Sequence, residues 1–554
     1  MTKKRIAVLV ALILLTVLVA GCRAKGPARV FTAGTTTPIT FTFFNADFPG
    51  DMKWDDPVAK RITEITGVSL DVDGPVGGAD TQAIALMIAS GKYPDLIYAK
   101  GNIGMLIEAG AVIPLDDLIK TKGNNIRDLY GDQLVKLRNS LQDPRIFHAG
   151  TFGVYEPLWI TEGSVQVQHA VLKELGYPTM KTLDDVERAL RAYMAKYPTI
   201  NGQPTLGISL STLTWHWLIS LGNTANYAIG YTDDGQWLVN QETLEATYKF
   251  LDPEMRYWFQ WLNRMYQEGI LDPETFTQSE DTWRAKLASG RVLANAFPLW
   301  GWAQARASLL ADGMDERTYA YLPIVADDRF QSAMLTDRGY GGGWGIAISS
   351  TCKDPERAFE FINWMASEEA QILLNWGIEG VNYDVIDGKR VVPPNEQRMI
   401  DTDPDHPKRT GVSRWTLPFP MRGHGFVDST GNFITRNSPD TIKRNYLPIE
   451  KETLAAYGAE MWIDLFPPTS SIPMSRHGQA WQYTLPPDLF AKVVEADSLV
   501  QTALANIVIG SPANFDTAWA NMVDGLRRTG IDQANSAMTQ LIRDRVRLWE
   551  MDVQ

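Results

Sequence analysis

The spacing of apolar and polar positions changes period several times in the sixty residues that follow position 37. Residues 38–45 (PITFTFFN) are β-branched and aromatic, with the composition of a strand. Asp56-Pro57 then reads as a helix start with proline in the first turn, and Gly67 as its stop. Residues 68–72 form a second strand. Ile84, Met87 and Ile88 recur at helical spacing within 80–90, and Leu96-Ile97-Tyr98 is a third strand after a turn at 91–95. The β-α-β-α-β order predicts a parallel sheet with right-handed crossovers, hence an α/β fold. Such sheets bind ligands at the carboxyl ends of their strands. Here those ends are Asn45-Ala46-Asp47 and Tyr98-Ala99-Lys100.

Further on, Thr182 with Asp185 has the capping-box pattern and opens a helix to 197. Residues 253–269 form a helix with an aromatic face of Tyr257, Trp258, Trp261 and Met265. Strands are expected at 291–297 and 342–350, and a helix from Asp354-Pro355 to 367. The stretch 401–438 is rich in loop residues, and two helices, 516–529 and 532–547, close the chain.

The N-terminus changes the picture. Lys3, Lys4 and Arg5 precede an apolar run over 6–19, broken by Thr16, and then Val19-Ala20-Gly21-Cys22. A basic start, a short apolar core and small closing residues make a secretory signal. The run falls short of the roughly 20 residues a membrane span needs. Residues 23–37 hold Thr, Gly, Ala and Pro with little to bury, and read as a flexible spacer.

The 554 residues suffice for two substantial domains, and a net charge of −13 argues against nucleic acid or anionic lipid as partner. Cys22 and Cys352 are the two cysteines, so no framework of disulfides is available. The 18 tryptophans and 19 tyrosines offer stiff apolar faces with polar edges, suited to carbohydrate or another amphipathic ligand. No Gly-x-Ser-x-Gly elbow, phosphate loop or dinucleotide spacing occurs, and the six histidines make no zinc pattern. No cofactor or metal is expected. Asp401, Asp403, Asp405 and His406 could catch a cation, but read more simply as a solvated turn.

Two resemblances organise these observations. Val19–Cys22 resembles the lipobox of bacterial lipoproteins, which implies a lipid on Cys22 and a signal peptide of residues 1–21, with 22–37 as a lipidated tether. Ser90-Gly-Lys-Tyr-Pro-Asp-Leu-Ile-Tyr98, Leu106-Ile-Glu-Ala-Gly-Ala-Val-Ile-Pro-Leu-Asp-Asp117, Leu172-Lys-Glu-Leu-Gly176, Tyr266-Gln-Glu-Gly-Ile-Leu-Asp-Pro273, Gly341-Gly-Gly-Trp-Gly-Ile-Ala-Ile348 and Ile509-Gly-Ser511 together resemble the extracellular solute-binding proteins of bacterial carbohydrate ABC importers. The resemblance implies a two-lobed periplasmic-binding-protein-like fold (type II), with the ligand in the cleft between lobes joined by hinge crossings. The lobes are expected at 38–155 with 338–405, and at 156–337 with 406–554. It also implies binding without turnover, an oligosaccharide ligand, an ABC permease as partner, a monomer, and a place on the outer face of the cell membrane.

Asn45 and Asp47 resemble an Asn-x-Asp at the matching place in maltose-binding proteins, although an Asx turn accounts for the pair equally well. Phe297-Pro-Leu-Trp300-Gly-Trp302 resembles a sugar-stacking Pro-Trp-x-Trp stretch of the same relatives, with Leu299 intervening. Trp344 among glycines, Trp215, Tyr98 and Trp54 complete the expected ligand residues; core packing is the alternative for each. Some large relatives carry a calcium loop where this chain has 196–205, which holds Asn201 and no carboxylate, so the metal is expected to be absent here. A tethered glycoside hydrolase and an oligopeptide-binding protein remain as alternatives.

Overall fold

The computed structural model describes residues 37–551, apart from 48–49, 76–79, 162–163, 233–234, 473–476 and 483–484. The expected signal peptide, Cys22 and nearly all of the tether therefore lie outside the described residues. Nine strands build two sheets: β1 (Ile39–Asn45), β2 (Val68–Asp73), β3 (Leu96–Tyr98), β4 (His148–Gly150), β5 (Gln166–Gln168), β6 (Leu206–Ile208), β7 (Val292–Asn295), β8 (Tyr319–Tyr321) and β9 (Gly345–Ile348). The first sheet has the order β2-β1-β3-β9-β4 and the second β8-β5-β7-β6.

Local signals hold at several element ends. Asp56 caps the helix α1 (Pro57–Thr66) by accepting the Ala59 amide, and Gly67 ends it in the left-handed conformation. Thr182 and Asp185 close a reciprocal capping box on α2 (Leu183–Lys196). Trp258, Trp261 and Met265 of α3 (Arg256–Gln267) are buried, the two indoles stacked at 5.3 Å.

Two departures matter. The first sheet is mixed: β1, β2 and β3 are parallel, but β9 joins antiparallel to both β3 and β4. The tail also holds a third long helix, Pro487–Ile509, ahead of α-helices Phe515–Arg528 and Ile531–Glu550. Its buried Val493, Ala496, Val500, Leu504 and Ile507 follow helical spacing.

Each sheet centres its own apolar core. One core runs from Phe41 to Ala149 and resumes at Tyr340; the other spans Val165 to Ile324 and resumes at Leu454. The chain passes between them three times. Val412, Trp415 and Phe419 belong to the first core, with the Trp415 indole donating to Asp56 at 2.7 Å. These three residues lie past the expected boundary at 405 yet pack with the first core, because buried apolar side chains go where a core accepts them.

Candidate functional site

Register alone assembles one wall of the site. Asn45 pairs with Tyr98 across β1 and β3, so Asp47 and Lys100, each two residues on, lie level. Ile346 pairs with Tyr98 across antiparallel β9, so Trp344, two residues before it, lies level as well. Lys100 takes a positive φ of 51° as the chain leaves β3. Its ammonium sits 2.7 Å from the Asp47 carboxylate and 5.3 Å from the centre of the Trp344 ring.

The second sheet supplies the opposite wall. Strands β6 and β7 are parallel, with Ile208 level with Ala294, so the segments that follow leave the sheet at one edge. The first carries Trp215 and the second opens the helix α4 (Leu299–Ala311), with Trp300 in its first turn. The two indoles stack, 5.8 Å apart and 15° from parallel, and each is 54% exposed. That exposure is unusual for so large an apolar ring and marks a surface awaiting cover. Lys100 reaches across to this wall, 5.9 Å from the Trp215 ring.

A buried histidine props the platform. The His216 ring meets Trp215 edge-on at 4.6 Å and Phe297 at 4.6 Å. Its Nδ1 lies 2.9 Å from the Ser211 hydroxyl and its Nε2 3.5 Å from Glu280. Glu280 also accepts from the Thr214 hydroxyl and from Arg284. Burial outweighs the Glu280 charge and lowers the His216 pKa to about 4, so the ring is neutral at ordinary pH.

The structure thus brings together four of the eight expected ligand residues: Asp47, Trp215, Trp300 and Trp344. The other four are placed differently. Asn45 is buried; its Oδ1 accepts the Asp47 amide in an Asx turn and its amide meets the Met52 sulfur. Tyr98 is buried beneath the site; burial first, and then the Asp47 carboxylate, raises its pKa. Trp54 donates to the Thr63 hydroxyl and packs edge-on against Trp415 at 4.5 Å, inside the first lobe. Trp302 is 1% exposed, donates to the Phe297 carbonyl and packs against Tyr319. The stretch around it is a helix rather than an irregular turn, and two helical positions differ by about 200° in direction, so Trp300 and Trp302 point opposite ways. A Cβ on Gly301 would strike the Phe297 ring, so the glycine lets that ring pack under the platform.

Lys100 and His216 are the residues that sequence reasoning missed. Lys100 was in view as a strand end, but its value lies in touching both walls. Among the described residues, no group of three or more His, Cys, Asp or Glu side chains could hold a metal ion. The 196–205 stretch is instead a tight hairpin, Thr199–Ile200 against Gln203–Pro204, turning on Asn201-Gly202.

The comparisons with known proteins bear on the fold and the family. The lipoprotein LipO of Bacillus subtilis strain 168 is 24% identical over 393 residues, 68% of this chain and 74% of that protein. The fructooligosaccharide ABC transporter substrate-binding protein FusA of Streptococcus pneumoniae serotype 4 is 24% identical over 381 residues, covering 63% of this chain and 65% of its own length, just under two thirds. The crystal structure of the alginate-binding protein AlgQ2 without calcium ion superposes with a TM-score of 0.65 at 17% identity, covering 92% of this chain and 99% of the other, a likeness of fold. The model of the bacterial extracellular solute-binding protein family matches residues 24–372, more than half of the sequence. Two lobes with separate cores, three crossings and an aromatic surface held open between them are what a protein that closes on a solute requires, and this chain belongs to the bacterial extracellular solute-binding protein family.

Proposed function

We propose that this protein captures an oligosaccharide between its lobes and delivers it to an ABC permease, without chemical turnover. The observation that carries the reading is the exposed, stacked Trp215–Trp300 pair facing Asp47, Lys100 and Trp344 across the gap. Sugar rings present C–H faces that lie on indoles and hydroxyls that bond to carboxylate and ammonium groups, so one wall stacks and the other orients. The relative named for fructooligosaccharide transport supports a saccharide as the solute class.

The lipobox resemblance at Cys22 supports a lipid anchor on the outer face of the cell membrane, which would hold the soluble lobes near a permease. A relative is itself named a lipoprotein. The protein is proposed to act as a monomer, since each wall of the cleft comes from the same chain.

Calorimetry and chromatography on one mixture test the function. Saturable heat with the sugar recovered intact supports it. Steady release of shorter sugars by pure protein would establish the glycoside hydrolase reading instead.

A further inference from the structure

We infer that the bound sugar runs on from the tryptophan platform into a second recess, which takes a further neutral, hydroxyl-bearing ring between the first lobe and the C-terminal helices. The inference rests on the saccharide reading above and adds a length requirement to it.

The recess has a volume of about 440 Å³, within the range of small-molecule sites. The helix Ile103–Glu108 and residues 137–143 form one side. Gln482, the Pro486 turn and the last helix, at Leu541 and Arg545, form the other. Trp344 lines it, the same indole that faces Lys100, so the recess adjoins the cleft through one ring of the first-lobe wall.

Its polar groups ask for hydroxyls. Nδ1 of His148 and Oε1 of Gln482 are both buried without a hydrogen-bond partner. An unmet polar atom away from water is a standing cost, which a ligand hydroxyl would relieve once the side chain turns toward the recess. Burial, with the nearby Arg545 charge, lowers the His148 pKa to about 4, so its ring offers a neutral nitrogen. Arg545 already donates to the carbonyls of Gln482 and Gly341, and lies over the Trp549 ring at 5.3 Å.

The charges around the recess balance. Arg138 and Arg545 line it along with Glu108 and Asp143, the last held by Arg145 at 2.6 Å. An anion would meet the carboxylates and a cation the guanidinium groups, whereas a neutral polyol meets neither penalty. Phe147, Leu485 and Trp344 supply faces for its C–H surface.

The test uses calorimetry of the whole protein with di- to hexasaccharide ladders of fructan, glucan and mannan type. Two variants probe the recess: Gln482→Leu removes the unmet acceptor, and Gln142→Trp adds bulk from an exposed rim position. Melting temperatures confirm that each is folded. In the wild type, affinity should rise about tenfold when one added unit fills the recess. That gain should vanish in both variants while the shortest bound sugar keeps its affinity. A gain that survives both variants overturns the proposal, as do short sugars that bind the wild type with no gain from length. If no sugar of any ladder binds, the saccharide reading falls and takes the recess with it; short-sugar binding without a length effect removes the recess alone.

Discussion

The two walls of the cleft are prepared for a ligand in different ways. The first lobe offers charges that are already paired: Lys100 holds Asp47 at 2.7 Å. The second offers bare aromatic surface, Trp215 and Trp300, each just over half exposed. A partly exposed ion pair contributes about 0–1 kcal/mol, and a ligand hydroxyl must compete with the existing partner. Covering roughly 100 Å² on each indole at about 25 cal/mol per Å² is worth on the order of 5 kcal/mol for the pair, before the cost of association. The aromatic wall should therefore supply most of the affinity and the charged wall most of the orientation.

The sharpest way to break this comparison lies within one helix turn. Trp302→Ala should cost about 3–5 kcal/mol of stability, because it empties a fully buried indole site. Denaturant unfolding checks this; a loss under 1 kcal/mol would return Trp302 to the cleft. Trp300→Ala should leave stability within about 1 kcal/mol yet weaken sugar binding by about 2 kcal/mol or more, well over tenfold. Affinity that holds in this variant would mean that the stacked pair is not the binding surface.

Acid should destabilise the fold in part through His216. The folded pKa of His216 is lowered to about 4 from its ordinary 6.5, so the unfolded chain binds its proton first. The histidine's contribution to stability is whole above pH 6.5 and is lost as pH falls from there toward 4. His216→Asn should flatten that slope in thermal melts taken across the window. An unchanged slope would show that the ring does not titrate as its burial requires.

Lys100→Met should have a smaller effect, about 1 kcal/mol in affinity, with the salt dependence of binding reduced. A loss larger than that of Trp300→Ala would reverse the ranking of the two walls. The smallest effect is expected of chelation. The 196–205 hairpin presents no carboxylate, so EDTA should leave the melting temperature unchanged. A drop that calcium restores would locate a metal site elsewhere.

What the sequence determined by itself was whatever short-range chemistry decides. The caps at Asp56 and Gly67 and the box at Thr182 and Asp185 depend on residues within a turn of each other. The strand order of β1 to β3 follows from the alternation of periods, and the strand ends at Asp47 and Lys100 followed from it. Composition and the family-like segments pointed to an aromatic cleft. Tertiary structure alone decided which tryptophans face that cleft. Trp300 and Trp302 are the same residue type two positions apart, and only the helix between them turns one outward and the other into the core. Asn45 and Tyr98 stand beside the site yet are buried, because they are the last residues inside the sheet, whereas Asp47 and Lys100 lie past the strand ends. Lys100 became visible as a site residue only when register set it level with Asp47 and Trp344, and when a second sheet, folded from residues far along the chain, brought Trp215 within its reach. Local signals are encoded where they act; a cleft between two cores exists only once both have formed.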